Sequence, residues 1–191
     1  MALKGHTPAE TAKALQVADA AETVMSSGFT QGLPQLDAVR ARYRNEPWYK
    51  DVHGNFTHLI LPYSGDELLE KGKAYIFGTP WRYDPMPVLR KLSVPQLWIL
   101  GRDDLEAPSA ETSRRLKALA ARGAPITLAL YPDAEHGIYE FETKPDGERV
   151  STRNAEGYFA MMRDFARDGR LAGPYGASVL ARPHGTKAPP S

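Results

Sequence analysis

Between residues 7 and 28 apolar side chains return every three or four positions: Ala14, Ala18, Ala21 and Met25, with Leu15 and Val24 beside them. That period predicts an amphipathic helix with one face on a core. Thr7 with Glu10 three positions on marks its start, because each side chain can satisfy the other's exposed backbone N–H, and Pro8 suits the first turn. Ser26-Ser27-Gly28 supplies the stop. A second helix opens at Pro34, places Leu36, Val39 and Tyr43 on one face and is limited by Pro47. Residues 55–61 fit a strand and an apolar helical turn equally well, since so short a run holds too few periods to choose. Ser64 and Glu67 repeat the capping pattern ahead of a short helix that reaches about Gly72. Residues 1–80 are thus predicted to be mainly helical.

After Gly78-Thr79-Pro80 the pattern changes. Residues 94–100, Val-Pro-Gln-Leu-Trp-Ile-Leu, are almost continuously apolar, which predicts a strand covered on both faces in a parallel sheet. An acidic loop, 101–108, leads to a helix capped by Ser109, with Glu111 in its first turn, Leu116, Leu119 and Ala120 on one face, and Gly123 and Pro125 beyond its end. Residues 126–131 form a second strand, 132–137 a second loop, and a last helix runs from about 154 to 168 with Tyr158, Met161, Met162 and Phe165 in one stripe. Strand, helix, strand and helix over residues 94–168 predict one parallel βαβ unit followed by a closing helix, within an α/β part that spans 81–170. The remainder, 171–191, is expected to be a disordered tail, since 172–191 holds three Gly and four Pro among few apolar residues.

Composition narrows the classes. The chain has 191 residues, with 24 Lys+Arg against 23 Asp+Glu, and the resulting charge of +1 gives no field that would draw a nucleic acid. There is no Cys, which excludes disulfides, thiolate metal sites and a cysteine nucleophile. No apolar run approaches the ~20 residues of a membrane helix, and the first residues lack a basic start with a long apolar stretch behind it. Membrane partners are not expected, and the cytoplasm is the default compartment.

In a parallel sheet the working residues lie just beyond the carboxyl ends of the strands. Those two loops read Gly101-Arg102-Asp103-Asp104-Leu105-Glu106-Ala107-Pro108 and Tyr131-Pro132-Asp133-Ala134-Glu135-His136-Gly137. A carboxylate therefore follows one strand and an imidazole the next. A histidine acting as general base needs its other ring nitrogen held by an acceptor, usually a buried carboxylate, and strands ~4.8 Å apart bring such loops together. Taken singly, a histidine or an acidic loop is more often structural. Trp48, Trp81 and Tyr83 are candidates for a substrate pocket, with Leu105 beside the acid, although aromatic residues near a sheet are commonly core. Asp51, His53 and His58 match no usual metal spacing, so no metal and no cofactor are expected. Arg40 to Arg44 read as a solvated helix face.

The stretch Tyr83-Asp84-Pro85-Met86-Pro87-Val88-Leu89-Arg90-Lys91-Leu92-Ser93-Val94-Pro95, then Gly101-x-x-Asp104-x-x-x-Pro108, then Tyr131-Pro132-x-Ala134-x-His136-Gly137 resembles the α/β-hydrolases, especially their prolyl-oligopeptidase-like and dienelactone-hydrolase-like members. The likeness covers about residues 80–170. It implies a serine hydrolase acting on an ester or amide, with Asp104 as the orienting acid, His136 as the general base and Asp103 as the alternative acid.

In that family the nucleophile precedes the acid within Gly-x-Ser-x-Gly. This sequence has no such motif and no His-Gly-Gly loop; Ser64 lies in Pro62-Tyr63-Ser64-Gly65-Asp66, and Gly176-Ala177-Ser178-Val179-Leu180 lacks the last glycine. The resemblance therefore implies the C-terminal portion of an α/β-hydrolase fold preceded by a mainly helical cap or lid at 1–80, with the nucleophile outside the chain. An apolar sheet edge should then remain open, favouring self-association or pairing with a piece that carries the missing strands. The other reading is a non-catalytic interaction module on the same partial scaffold. A fluorophosphonate probe should leave this chain unlabelled.

Overall fold

The computed structural model describes residues 1–52, 57–75 and 82–182. The chain divides into two compact units, Met1–Asp84 and Pro85–Ser191.

The first unit is helical. Helix α1 spans Pro8–Ser26, and the Thr7–Glu10 capping box forms in both directions. Its buried face is Ala14, Val17, Ala21, Val24 and Met25, while Leu15 turns outward and is 58% exposed. The stripe thus runs through Val17 rather than Ala18 and Leu15. Helix α2, Leu33–Tyr43, starts from Gly32 in the left-handed conformation and buries Leu36 and Tyr43. Helix α3, Thr57–Ile60, resolves the ambiguous run as a helical turn, and α4, Gly65–Lys71, carries the Ser64–Glu67 capping box. These elements enclose one core with Phe29, Trp48, Val52 and Leu68. Trp48, 1% exposed, is a core residue here and not a pocket wall. Arg40 is not on a wet face either: it donates to Leu61 O (3.1 Å) and pairs with Asp37, leaving its side chain 13% exposed.

The second unit mixes helices and small sheets. After the short helix α5, Met86–Leu89, strand β1 (Gln96–Gly101), helix α6 (Ser109–Ala120) and strand β2 (Ile126–Tyr131) form a parallel βαβ unit in the register Gln96–Ile126 to Gly101–Tyr131. Helix α6 is preceded by Pro108 as its N-cap, so Ser109 is the first helical residue and caps nothing. Strand β1 packs on both faces, Leu97 and Ile99 against one core and Trp98 and Leu100 against another, yet residues 96–100 are only half-buried, because among the described residues it ends a three-stranded sheet with a strand on one side.

Residues 138–153, unassigned by periodicity, form with Ala134–Glu135 (β3) a second sheet of β4 (Tyr139–Thr143) and β5 (Arg149–Asn154). Both β4 and β5 are largely exposed, so no alternation betrays them; the turn between them has Gly147 at φ 85°. Helix α7 runs Tyr158–Asp168, starting later than expected because Asn154 is still paired in β5 and Gly157 at φ 79° makes the turn. The expectation of a disordered tail fails for residues 171–182. Leu171 and Tyr175 are each 5% exposed in the core beside Met161, and β6, Val179–Ala181, pairs antiparallel with β2. A few apolar residues suffice because an unpaired strand edge and an apolar groove wait for them. Residues 183–191 lie outside the described part.

Candidate active site

The site grows from the carboxyl ends of β1 and β2. Arg102 N–H donates to Tyr131 O (2.9 Å) and Asp103 N–H to Ala134 O (3.0 Å), so the two loops are zipped backbone to backbone. This approach needs a glycine at the end of β1: a Cβ on residue 101 would lie 2.5 Å from Ala134 O and 2.6 Å from Glu135 O.

Asp104 is 8% exposed, and its carboxylate is divided between two tasks. Oδ1 accepts the backbone N–H groups of Glu106 (2.7 Å) and Ala107 (2.9 Å), which fixes the turn into α6, while Oδ2 faces His136 Nδ1 at 3.0 Å. With its proton on Nδ1 the imidazole donates to this oxygen. The ring is 58% exposed, and Nε2 stands 3.9 Å from Glu106 Oε2. The Asp104 hydrogen bond raises the His136 pKa above its usual value, burial opposes this, and the charges of Asp104 and Glu106 add to the rise.

The backbone beneath the histidine is unusual. Asp133, Gly137 and Ile138 all have positive φ, and Ile138 is β-branched and 5% exposed. Such a conformation costs on the order of 1–3 kcal/mol and persists only where its surroundings impose it. Here Ile138 O accepts from Ala155 N–H (2.9 Å), and the side chain is set into the core.

Asp103, the alternative acid, is otherwise engaged. Its Oδ2 accepts Asp133 N–H (3.2 Å) and its backbone oxygen accepts Arg149 Nη1 (2.6 Å), so it ties the loops together instead of holding the imidazole. Arg149, on β5, also lies 4.1 Å from the Phe141 ring centre. No apolar period in the sequence marks Arg149, and the local signal of the hairpin that carries it is the turn Pro145-Asp146-Gly147.

Leu105 is half-buried in the acid loop, Tyr83 is 56% exposed in the first unit, and Trp81 and His53 lie outside the described residues. Asp51 is taken up within the first unit, where Lys4 Nζ and His6 Nε2 each lie 2.7 Å from its oxygens.

Comparison with known proteins bears on this geometry. The chain is 32% identical to the acylamino-acid-releasing enzyme of Mus musculus over 88 residues, which is 45% of this chain and 11% of that enzyme. It is 31% identical to the Homo sapiens acylamino-acid-releasing enzyme over 88 residues, with the same coverage. With dipeptidyl aminopeptidase BIII of Pseudoxanthomonas mexicana it shares 28% over 85 residues, 44% of this chain and 12% of that enzyme. The matched stretch thus spans about a tenth of each relative's length. Neither a family profile nor a solved structure matches the chain. Part of this chain is therefore similar in sequence to peptidases.

Proposed function

We propose that Asp104 and His136 are the acid and base of a serine-hydrolase triad on an α/β-hydrolase scaffold, and that the chain acts on peptide or ester carbonyls together with a nucleophile outside it. The observation that carries this reading is the buried carboxylate bonded to Nδ1 of a ring that is 58% exposed, with Glu106 Oε2 3.9 Å from Nε2. In acyl transfer, Nε2 would take the proton of an attacking serine and return it to the leaving group, while Asp104 fixes the tautomer and stabilises the imidazolium. The similarity to acylamino-acid-releasing and dipeptidyl aminopeptidase enzymes favours amide substrates. The serine is proposed to arrive on a strand that adds to the open edge of β1, which would set it beside the loop bearing Asp104.

The test is a transplant. The 88-residue segment of the mouse enzyme that aligns with this chain is replaced by the corresponding residues of this chain, and peptidase turnover is measured. The expected result is measurable activity that falls on the order of 10³-fold or more on His136→Ala. A folded chimera whose activity is indifferent to His136→Ala and Asp104→Asn would overturn the assignment and favour the interaction module. Fluorophosphonate should leave the chain alone unlabelled; stoichiometric labelling would place a nucleophile within it.

A further inference from the structure

Away from the strand ends, the second unit carries a groove along α5, the residues after it, and the C-terminal half of α6. It consists of two contiguous concavities of about 250 and 570 Å³ that share Arg90, Leu119 and Arg122. Arg114 and Arg115 line the smaller one and Lys91 the larger, so five cations border the groove. Among the described residues one carboxylate pairs with any of them: Glu111, whose oxygens lie 2.7 Å from both Arg114 Nε and Arg115 Nε, and whose pKa those two guanidiniums hold down to about 2. Arg90, Lys91 and Arg122 form no ion pair among the described residues. Between the cations the lining is apolar, from Met86, Leu92 and Leu119.

A chain of net charge +1 has no general surplus of cations to distribute, so this concentration is local. Guanidiniums bind carboxylates through paired N–H donors, and an apolar floor under a cationic rim suits a ligand that alternates acidic and apolar groups. A small free anion would meet the charges yet leave Leu92, 36% exposed, uncovered. Both concavities open to solvent, so a peptide segment can reach them.

We propose that this groove binds an acidic, partly apolar peptide segment of a partner chain.

The experiment titrates the full chain into a fluorescein-labelled peptide of alternating Glu, Leu and Ser and into its Gln counterpart, following anisotropy. Saturable binding of the Glu peptide alone is expected, weakening as salt rises from about 50 to about 300 mM. The double variant Arg90→Gln/Arg122→Gln should weaken it at least tenfold, whereas Arg163→Gln/Arg167→Gln, on α7, should leave it unchanged; circular dichroism and melting temperature establish that both variants are folded. Equal binding of the Gln peptide, equal loss in the α7 variant, or no saturable binding would each overturn the proposal. So would tripolyphosphate or single-stranded RNA binding the groove more tightly than the Glu peptide, which would make phosphate the recognised group.

Discussion

Asp104→Asn separates the two tasks of this carboxylate. The asparagine carbonyl oxygen can still accept the Glu106 and Ala107 N–H groups, so the turn into α6 survives, but an amide N–H₂ now faces His136 Nδ1. The imidazole must then accept through Nδ1 and carry its proton on Nε2, the wrong tautomer for a base, and the imidazolium loses its counter-charge. A hydrogen bond to a charged group is worth about 1.5–3 kcal/mol when shielded. With the ring 58% exposed, water screens the pair, and about 1 kcal/mol or less remains. The sign follows from the raised pKa: the folded state holds the His136 proton more tightly than the unfolded chain, so this contribution is fully present below the unfolded value, about 6.5, and is lost as pH rises through the folded one. The variant should therefore melt about 2–4 °C below the wild type at pH 5.5 and closer to it at pH 8.5. Proton NMR should show the His136 titration midpoint falling and a downfield Nδ1 proton disappearing. A melting difference independent of pH, or an unmoved His136 midpoint, would refute the reasoning.

Three further outcomes follow from the supports of the site. Gly101→Ala drives a methyl into the Ala134 and Glu135 carbonyls and should cost about 1–3 kcal/mol by urea denaturation, with the Asp104–His136 proton signal lost as the loops part. Arg149→Met removes the bond to Asp103 O and the contact with Phe141; about 1–2 kcal/mol should be lost, and the Asp103 amide should exchange faster in hydrogen-exchange measurements. Truncation after Arg170 removes Leu171, Tyr175 and β6 and should destabilise the second unit by about 3 kcal/mol or more, read as a lowered denaturation midpoint and rapid proteolysis; an unchanged midpoint would mean that these residues do not hold the core.

What the sequence makes legible is what local chemistry controls. The capping boxes at Thr7 and Ser64, the strands at 96–101 and 126–131 and the pairing of a carboxylate with an imidazole across two loops rest on short patterns with strong physical causes. The misses share a different cause. The hairpin of β4 and β5 is mostly exposed, so neither period marks it, and its importance comes from one long side chain reaching 46 residues back to Asp103. Strand β6 is three residues long and exists because β2 offers it an edge. Asp103 and Asp104 are adjacent and chemically identical, and only the backbone trajectory after Gly101 decides that one ties the loops while the other meets the histidine.

The open edge of β1 supplies the last prediction. Gln96 N–H donates to Pro125 O and Arg102 N–H to Tyr131 O, so in this parallel ladder the even-numbered residues turn their N–H groups to β2 and Leu97 and Ile99 turn theirs away from it. Among the described residues no strand pairs with that side. The strand is apolar on both faces: Leu97 and Ile99 meet the core around Met161, and Trp98 and Leu100 the one around Leu116. An edge of this composition is a template for another strand, whether from a second copy or from the nucleophile-bearing partner proposed above. The chain alone should therefore self-associate at about 100 µM in light scattering. Ile99→Pro deletes an outward donor while sparing the β1–β2 ladder, and should shift the population to monomer if pairing through this edge is the cause. A wild-type chain that stays monomeric at that concentration and melts cooperatively would show that β1 needs no neighbour, and the proposed route for the missing serine would go with it.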